Sequence, residues 1–449
     1  MGEKGNKTGY EKKSDDGSIV PMDEHEAFRN TEWYGASLLL LADIVGSGVL
    51  ALTGAFSKLG WILGFAILLI CAPLNFYTGI LLSRIRRFYP KATTYGALGY
   101  DLFGNLGGYI GWGFLYVYIF LILGEYQIVL AKSVQECFYE TKICRPVAGL
   151  IACGILLFSN QVRTMRNISL LSIISALTIV IVIGMCLNDI SDYVDGSTQH
   201  DLVREISFWD FFGAVSTFVF AWAGQKIYLE IMNEMKEPED FPKSLCGAYP
   251  IIMIGYLVVC SVGYGYTGRQ APGYLLDALD YTPRKSVANI LMFVHMQISY
   301  TLNLQVLSKA IHMRWNPTTA LTIGANSSNI RTARFEWFVI TSAVTGCAYL
   351  ISNLIPFFDD FVELVGALLS SQLAFILPCV FFVKLASNTK LEVPVYEKVA
   401  IACIVVFATC LVIFGTIDAF RNISENASEY GLPFDCFCEA KKCLVTNPS

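Results

Sequence analysis

The stretch at residues 42–57, ADIVGSGVLALTGAFS, decides the fold. It lies in an apolar run at residues 34–56 that is long enough to cross a bilayer, yet it contains an aspartate and three glycines. A charged side chain at membrane depth costs at least ~2.5 kcal/mol, and each glycine weakens a helix by ~1 kcal/mol relative to alanine. Because a plain membrane anchor gains nothing from either residue type, this stretch predicts a functional break in a spanning helix.

The composition of the whole chain is that of an integral membrane protein. The chain has 449 residues, of which 54% are hydrophobic and 15% are charged, whereas a soluble domain has about 25% charged residues. Its mean hydropathy is +0.52. The net charge of -5 is spread over loops and tails, so the sequence predicts a lipid bilayer as surroundings and no nucleic-acid partner. Residues 1–33 are polar and are predicted to form a disordered cytosolic tail.

Apolar runs of roughly 20 residues predict eleven membrane-spanning helices. The predicted spans cover residues 34–57, 60–83, 109–131, 146–162, 168–187, 208–233, 247–266, 287–311, 335–355, 361–384 and 397–417.

The basic residues in the loops predict the orientation, because lysine and arginine collect on the cytosolic side. They follow spans 2, 4, 8 and 10, whereas the loop at residues 188–201 is acidic. The amino terminus is therefore predicted to be cytosolic and the tail at residues 418–449 extracytosolic. The basic residues that carry this prediction are Arg84, Arg86, Arg87, Lys91, Arg163, Arg166, Arg314, Arg331, Arg334, Lys384, Lys390 and Lys398.

The extracytosolic side is also predicted to carry modifications. Asn422 and Asn426 lie in N-x-S sequons of the tail and are candidate glycosylation sites. Five cysteines are predicted on the oxidising side, where disulfides form, and the sequence leaves their pairing open. They are Cys137, Cys144, Cys436, Cys438 and Cys443.

The sequence excludes the common enzyme classes. The stretch GYGYTG at residues 263–268 fits the dinucleotide-binding pattern, but it ends a predicted span instead of joining a strand to a helix. No catalytic motif, phosphate-binding loop or metal-ligand spacing accompanies it, so no cofactor and no metal are expected. A helical bundle of this kind points to transport or to reception.

Few ionisable residues lie within the predicted spans, and such residues mark function by default. Each also has a structural interpretation as a hydrogen-bonded or interfacial side chain, which is weakest for Asp43 because Gly46 and Gly48 lie beside it. The residues are Asp43, Glu125, Glu230, His295 and Glu363.

A second break is predicted in span 6, at residues 218–231, FVFAWAGQKIYLEI. Five spans separate its start from that of the first broken span. Transporters built from inverted repeats place discontinuous helices at corresponding positions of the two halves. The sequence therefore predicts an all-α, leucine-transporter-like fold with repeats at residues 34–187 and 208–384 and an eleventh helix outside the repeats.

The chain resembles the amino acid/auxin permease family of the amino acid, polyamine and organocation superfamily, and most of all the lysine/histidine-type transporters. The resemblance covers residues 34–385. It is carried by IVGSGVLAL, KLGW and NFYTGILL in spans 1 and 2, by FAWAGQKIYLEIMNEMKEPEDFPKS in span 6, by VANILMFVHMQISY in span 8, and by RFEWFVITSAV and LIPFFDDFVELVGALLSSQLAFILP in spans 9 and 10.

This resemblance implies symport of an amino acid with a proton. It implies that the first break holds the substrate carboxylate, that the second contacts its amino group, that Tyr126 and Trp222 act as aromatic gates, and that His295 and Ser299 border the cation or proton site. The two breaks supply Gly46, Ser47, Gly48, Val49, Ala221, Ala223 and Gly224.

Position alone makes Asp43 the candidate proton carrier, with Glu125 and Glu230 as secondary candidates. Three alternatives stay open: an amino acid sensor on the same fold, sodium coupling, and an auxin-like substrate. The plasma membrane is favoured over a vacuole or lysosome.

Overall fold

The computed structural model describes residues 10–13, 19–22, 31–138, 143–161, 168–190, 198–280, 282–320, 330–355, 357–430 and 434. Within these ranges the chain is helical apart from one hairpin. The α-helices are α1 (Trp33–Ile44), α2 (Gly48–Phe88), α3 (Tyr95–Phe103), α4 (Asn105–Cys137), α5 (Arg145–Ser159), α6 (Ile168–Ile190), α7 (Phe208–Trp222), α8 (Gln225–Glu234), α9 (Phe241–Thr267), α10 (Pro283–Trp315), α11 (Pro317–Ala320), α12 (Ile330–Leu354), α13 (Phe358–Val365), α14 (Leu377–Thr389), α15 (Val395–Cys410) and α16 (Thr416–Tyr430).

The hairpin lies in the amino-terminal segment that the sequence analysis expected to be disordered. Strand β1 (Tyr10–Lys13) pairs antiparallel with β2 (Ile19–Met22), with Tyr10 opposite Met22. Tyrosine, isoleucine and valine favour strands, so the four-residue segments pair although their neighbours are polar.

Eight helices in the described part of the chain are long and apolar enough to cross a membrane. The helices α1 and α5 are shorter and also apolar. The chain is therefore a multi-pass membrane protein. The eight candidate spans are Gly48–Phe88, Asn105–Cys137, Ile173–Ile190, Pro238–Gln270, Pro283–Trp315, Ile330–Leu354, Phe358–Thr389 and Val395–Asn426.

The longest of these helices, α2, contains a sharp turn. Its 41 residues would reach about 60 Å if they were straight, twice the thickness of a hydrocarbon core of about 30 Å. Gly60 interrupts it with a φ of 76°, a left-handed conformation that glycine adopts without steric cost. The backbone carbonyl oxygen of Asp201 would lie 3.0 Å from a Cβ atom at this position. The predicted spans 1 and 2 therefore meet at Gly60 without a loop.

Helices are interrupted at both predicted breaks. Between α1 and α2 the chain leaves the helix at residues 45–47, and between α7 and α8 it does so at Ala223 and Gly224. The broken helices pack with α9, which contacts both α1 and α2. A second group of helices consists of α4, α6, α10 and α12, and α4 packs directly on α10.

Three five-residue π-helical turns occur near the end of the chain. Gly366–Ser370 and Gln372–Ile376 lie between α13 and α14, and Leu411–Gly415 lies between α15 and α16. The first part of the second broken helix, α7, packs tightly against two of them. A Cβ atom on Gly366 would lie 2.2 Å from the backbone oxygen of Ser216, and one on Gly415 would lie 2.5 Å from its hydroxyl oxygen.

Candidate functional site

The two helix breaks lie face to face, and glycines permit the contact. A Cβ atom on Gly48, the first residue of α2, would come within 2.8 Å of the Cα atom of Ala221 in the last turn of α7. A Cβ atom on Gly224 would come within 2.7 Å of the Cγ1 atom of Ile44, the last residue of α1. Each break therefore touches the end of the other broken helix, and side chains at either glycine would push them apart.

A single buried hydroxyl lies against both broken helices. The hydroxyl oxygen of Tyr256, on α9, lies 3.0 Å from the backbone oxygen of Ile44 and 2.7 Å from that of Ala221. Carbonyl groups in the last turn of a helix lack intrahelical partners. Tyr256 therefore supplies a donor to the ends of α1 and α7 and fixes their separation.

Tyr256→Phe is expected to reduce transport while the protein still folds. Removing the hydroxyl leaves the buried carbonyl group of Ala221 without its donor, at a cost of about 1–3 kcal/mol in the free energy of unfolding, whereas the Ile44 carbonyl keeps the hydrogen bond from the Gly46 N–H. The lost hydrogen bond lies at the contact between the breaks. Uptake is therefore expected to decrease by more than the loss of folded protein alone would cause. Uptake per folded molecule and thermal unfolding in detergent measure the two effects.

The matched control is Tyr349→Phe. The Tyr349 hydroxyl donates to the backbone oxygen of Pro146 at 3.1 Å, away from the breaks. This variant is expected to lower stability and keep uptake per folded molecule. Equal uptake in both variants would mean that the Tyr256 hydroxyl serves only general packing.

The amino end of α2 offers free backbone donors. Among the described residues, the N–H groups of Gly48 and Val49 have no hydrogen-bond partner. The amino end of a helix also carries about half a positive charge. Both features favour an anion, such as a carboxylate, at this helix end.

Three ionisable side chains surround the breaks. Lys226, at the start of α8, donates from Nζ to Oδ2 of Asp43 on α1 at 2.8 Å. Their side chains are 6% and 17% exposed, so the ion pair is largely desolvated. Glu125, on α4, is fully buried, and its Oε2 atom accepts a hydrogen bond from the Ser47 hydroxyl at 3.1 Å. The site thus combines two carboxylates with one ammonium group.

The predicted aromatic gates occupy different surroundings. Tyr126 follows Glu125 on α4 and is buried. The Trp222 ring stacks on Tyr249 at 5.5 Å between ring centroids and lies edge-on to Tyr256 at 5.0 Å. Because Trp222 is fully buried against α9, it anchors the end of α7 in this structure, and its gating role stays a prediction.

The remaining predicted substrate contacts lie at the breaks. Gly46 is partly exposed, whereas the other members are buried. They are Ser47, Gly48, Val49, Ala221, Ala223 and Gly224.

His295 and Ser299 belong to one cluster between α10 and α6. The Nδ1 atom of His295 lies 2.9 Å from the hydroxyl of Ser175 and 2.8 Å from its backbone oxygen. The hydroxyl groups of Ser175 and Ser299 are 3.5 Å apart. The sequence analysis placed the first two residues together and missed Ser175, because a serine in an apolar span gives no distinctive signal.

Glu230 lies one turn after Lys226 on α8 and is partly exposed. Its position places it in the last half of α8, after the break at Ala223 and Gly224.

Glu363 forms an ion pair with Lys58 beside the turn at Gly60. A cavity of about 220 Å³ adjoins this pair and reaches Ala51 and Thr217 on the two broken helices. A second cavity, of about 320 Å³, lies next to it and is lined mainly by acidic and amide side chains, together with Lys58 and Arg204. The lining residues include Asp210, Asp359, Asp360, Glu425, Asn422 and Asn426.

Asn422 and Asn426 lie on α16, because the last helix extends beyond the predicted end of span 11 at residue 417. The Asn422 amide donates to Glu363 at 3.3 Å, and the Asn426 amide donates to Asp360. Glycosylation at the two sites stays a prediction.

The structure describes two of the five predicted disulfide cysteines, and they differ in state. Cys144 is disulfide-bonded, and Cys137 is a free thiol. Cys436, Cys438 and Cys443 lie outside the described residues.

Sequence reasoning missed Lys226 and Tyr256 as members of the site. The signal that could have identified Lys226 is its position beside a predicted break, since a carboxylate at membrane depth, such as that of Asp43, needs a cation. Nothing in the sequence distinguishes Tyr256 from the other tyrosines of span 7.

Two solved transporter structures share the fold of this chain. Mhp1, a nucleobase-cation-symport-1 family transporter with bromovinylhydantoin bound, has a TM-score of 0.57 and 13% sequence identity, over 94% of this chain and 98% of Mhp1. MhsT in complex with L-phenylalanine has the same TM-score and identity, over 87% of this chain and 100% of MhsT. The fold of this chain is therefore of the leucine-transporter type.

The chain belongs to the family of transmembrane amino acid transporter proteins, whose family model matches residues 29–421. It is 24% identical to amino acid transporter AVT1D of Arabidopsis thaliana over 405 residues, which cover 86% of this chain and 69% of that protein. It is 23% identical to the N amino acid transport system protein of Neurospora crassa over 92% of this chain and 89% of that protein. The predicted family is confirmed, and these relatives are transporters and not enzymes.

Proposed function

We propose that the protein moves an amino acid together with a proton across a membrane by alternating access. One observation carries the proposal: the facing breaks combine backbone N–H groups of Gly48 and Val49, which have no partner in the described part of the chain, with the buried ionisable groups of Asp43, Lys226 and Glu125. A zwitterionic amino acid has a carboxylate for the donors and an ammonium group for the carbonyl ends of the broken helices.

The roles of the breaks follow from their polarity. The amides at residues 46–49 hold the substrate carboxylate, and the backbone at residues 221–224 contacts the amino group. Tyr126 forms an aromatic wall of the site. The coupling proton is carried by one of the buried groups near the breaks or by the cluster of His295 and Ser299.

The proposed architecture has eleven spans, of which the first ten form two inverted repeats. The amino terminus is cytosolic and the carboxyl-terminal tail extracytosolic. The disulfide at Cys144 supports this orientation, because disulfides persist in oxidising compartments. We place the protein in the plasma membrane in preference to a vacuole or lysosome, which imaging of the tagged full-length chain tests.

The test is uptake of radiolabelled amino acids into liposomes that contain the purified full-length protein. In sodium-free buffer, an inward proton gradient is expected to drive accumulation of at least one amino acid, and a protonophore is expected to abolish it. Liposomes without protein are the control.

Other outcomes separate the alternatives. Accumulation that requires a sodium gradient would show that the coupling ion is sodium and not the proton. Binding of amino acids without flux would indicate a sensor. Neither binding nor flux with any amino acid would overturn the proposed function.

A further inference from the structure

Glu125 is a buried carboxyl group with unused hydrogen-bonding capacity. It is fully buried on α4, and its Oε2 atom accepts one hydrogen bond, from Ser47. Its Oε1 atom has no partner among the described residues. An ionised carboxylate can accept about four hydrogen bonds, and a buried charge without partners is costly. The free oxygen therefore needs a proton or a ligand.

The position of Glu125 coincides with the amino end of α2. Its partner, Ser47, directly precedes Gly48 and Val49, whose N–H groups are free among the described residues. The same amides are the proposed donors to the substrate carboxylate. Two carboxyl groups that share one site cannot both be ionised without strong repulsion. An ionised Glu125 therefore opposes binding of an amino acid at these amides.

The groups around Glu125 do not supply a spare cation. Lys226 faces it from α8, but this ammonium group is already bonded to Asp43 of α1 at 2.8 Å. The other titratable groups that face it are phenols: Tyr118 and Tyr126 on its own helix, and Tyr274 from the segment between α9 and α10. With the substrate bound, the excess negative charge is removed most directly by a proton on Glu125.

We infer that Glu125 is the proton-coupling residue and that it must be protonated for the substrate carboxylate to bind. This inference rests on the proposed function. The proton enters from the side of higher proton concentration and forms an O–H bond at Oε1, which then donates to the substrate carboxylate. When the substrate leaves on the other side, that O–H bond breaks and the proton leaves with it. The Ser47 bond to Oε2 holds the carboxyl group in place throughout.

This assignment replaces Asp43 as the carrier. The Asp43 carboxylate is paired with the Lys226 ammonium group, so the pair adds no net charge to the site. His295 is held by Ser175 between α10 and α6, apart from the amino end of α2.

The test compares wild type and Glu125→Gln in reconstituted liposomes. In wild type, the apparent KM for the amino acid is expected to rise with pH by up to about tenfold per pH unit, the limit for one linked proton. Glu125→Gln keeps the size and a donor group but carries no exchangeable charge. It is expected to exchange amino acids with a pH-independent KM and to fail to accumulate them against a gradient.

A second measurement, proton uptake on substrate binding, also applies to variants that bind the substrate and do not transport it. Substrate added to weakly buffered purified protein is expected to cause net proton uptake by wild type and none by Glu125→Gln. If Glu125→Gln does not bind, Glu125→Asp, which restores a titratable group, is expected to bind with proton uptake. Unchanged pH dependence and accumulation in Glu125→Gln, or binding by Glu125→Asp without proton uptake, would overturn the inference while leaving amino acid transport intact. Absence of binding and exchange in wild type would instead count against the proposed function.

Discussion

Gly48→Val is expected to abolish amino acid uptake while the protein still reaches the membrane. A Cβ atom at this position would lie 2.8 Å from the Cα atom of Ala221 and 3.1 Å from the ring of Phe220. The first contact is with backbone, so rotation of a side chain cannot relieve it. The two breaks must separate, and the branched side chain also covers the amides that we propose bind the carboxylate. Uptake in liposomes and the amount of folded protein in detergent are the measurements.

Gly113→Val is the matched control. Gly113 also lies in a helix, α4, and a Cβ atom there would meet nothing within 4 Å. This variant is expected to retain uptake because it adds the same side chain to an open face. If Gly48→Val also retained uptake, the contact between the breaks would have no part in transport.

Lys226→Met is expected to destabilise the protein and to stop transport. The substitution removes the ammonium group and leaves the Asp43 carboxylate without its partner in a largely buried site. Removing one member of a buried ion pair costs about 3–5 kcal/mol. Methionine keeps most of the length and the apolar stem of lysine, so a loss of stability or uptake is attributable to removal of the charge. Thermal unfolding and uptake per folded molecule are the measurements.

Two further variants identify the cause of this loss. Asp43→Asn combined with Lys226→Met removes both charges and is expected to recover most of the thermal stability. Lys236→Met removes an ammonium group paired with Glu32, where both side chains are more than 40% exposed, and is expected to have little effect. If the double variant were as unstable as Lys226→Met, packing of the lysine stem would be the cause instead of the unpaired charge.

The sequence predicts the breaks because their signal is local. Glycines next to a charged residue inside an apolar run have few structural explanations, and the helix is interrupted at both predicted places. The partners across the site are not predictable in this way. The pairing of Lys226 with Asp43 joins residues 183 positions apart, and it depends on which faces of α1 and α8 meet.

Tertiary contacts also determine where a helix ends and what surrounds a given side chain, and the local sequence does not show either. Span 11 was predicted to end at residue 417, where the apolar run stops, but α16 continues to Tyr430. Its polar residues find partners in Asp360 and Glu363, which hydropathy does not register. The family resemblance places Trp222 at the second break, but its stacking on Tyr249 depends on the position of α9, which the sequence does not give.

The π-helical turns bear on how the molecule changes shape. A π turn contains one residue more than the regular helix needs, so the extra residue can pass along the helix while most backbone hydrogen bonds are exchanged and few are lost. Two such turns, at Gly366–Ser370 and Leu411–Gly415, lie where α7 touches glycines instead of bulky side chains. A smooth surface beside two adaptable helices suits shear, in which packed helices slide by small steps. The first broken helix, which turns at Gly60, suits rotation about a hinge. The two broken helices would then move by different mechanisms, one by sliding and the other by rotation.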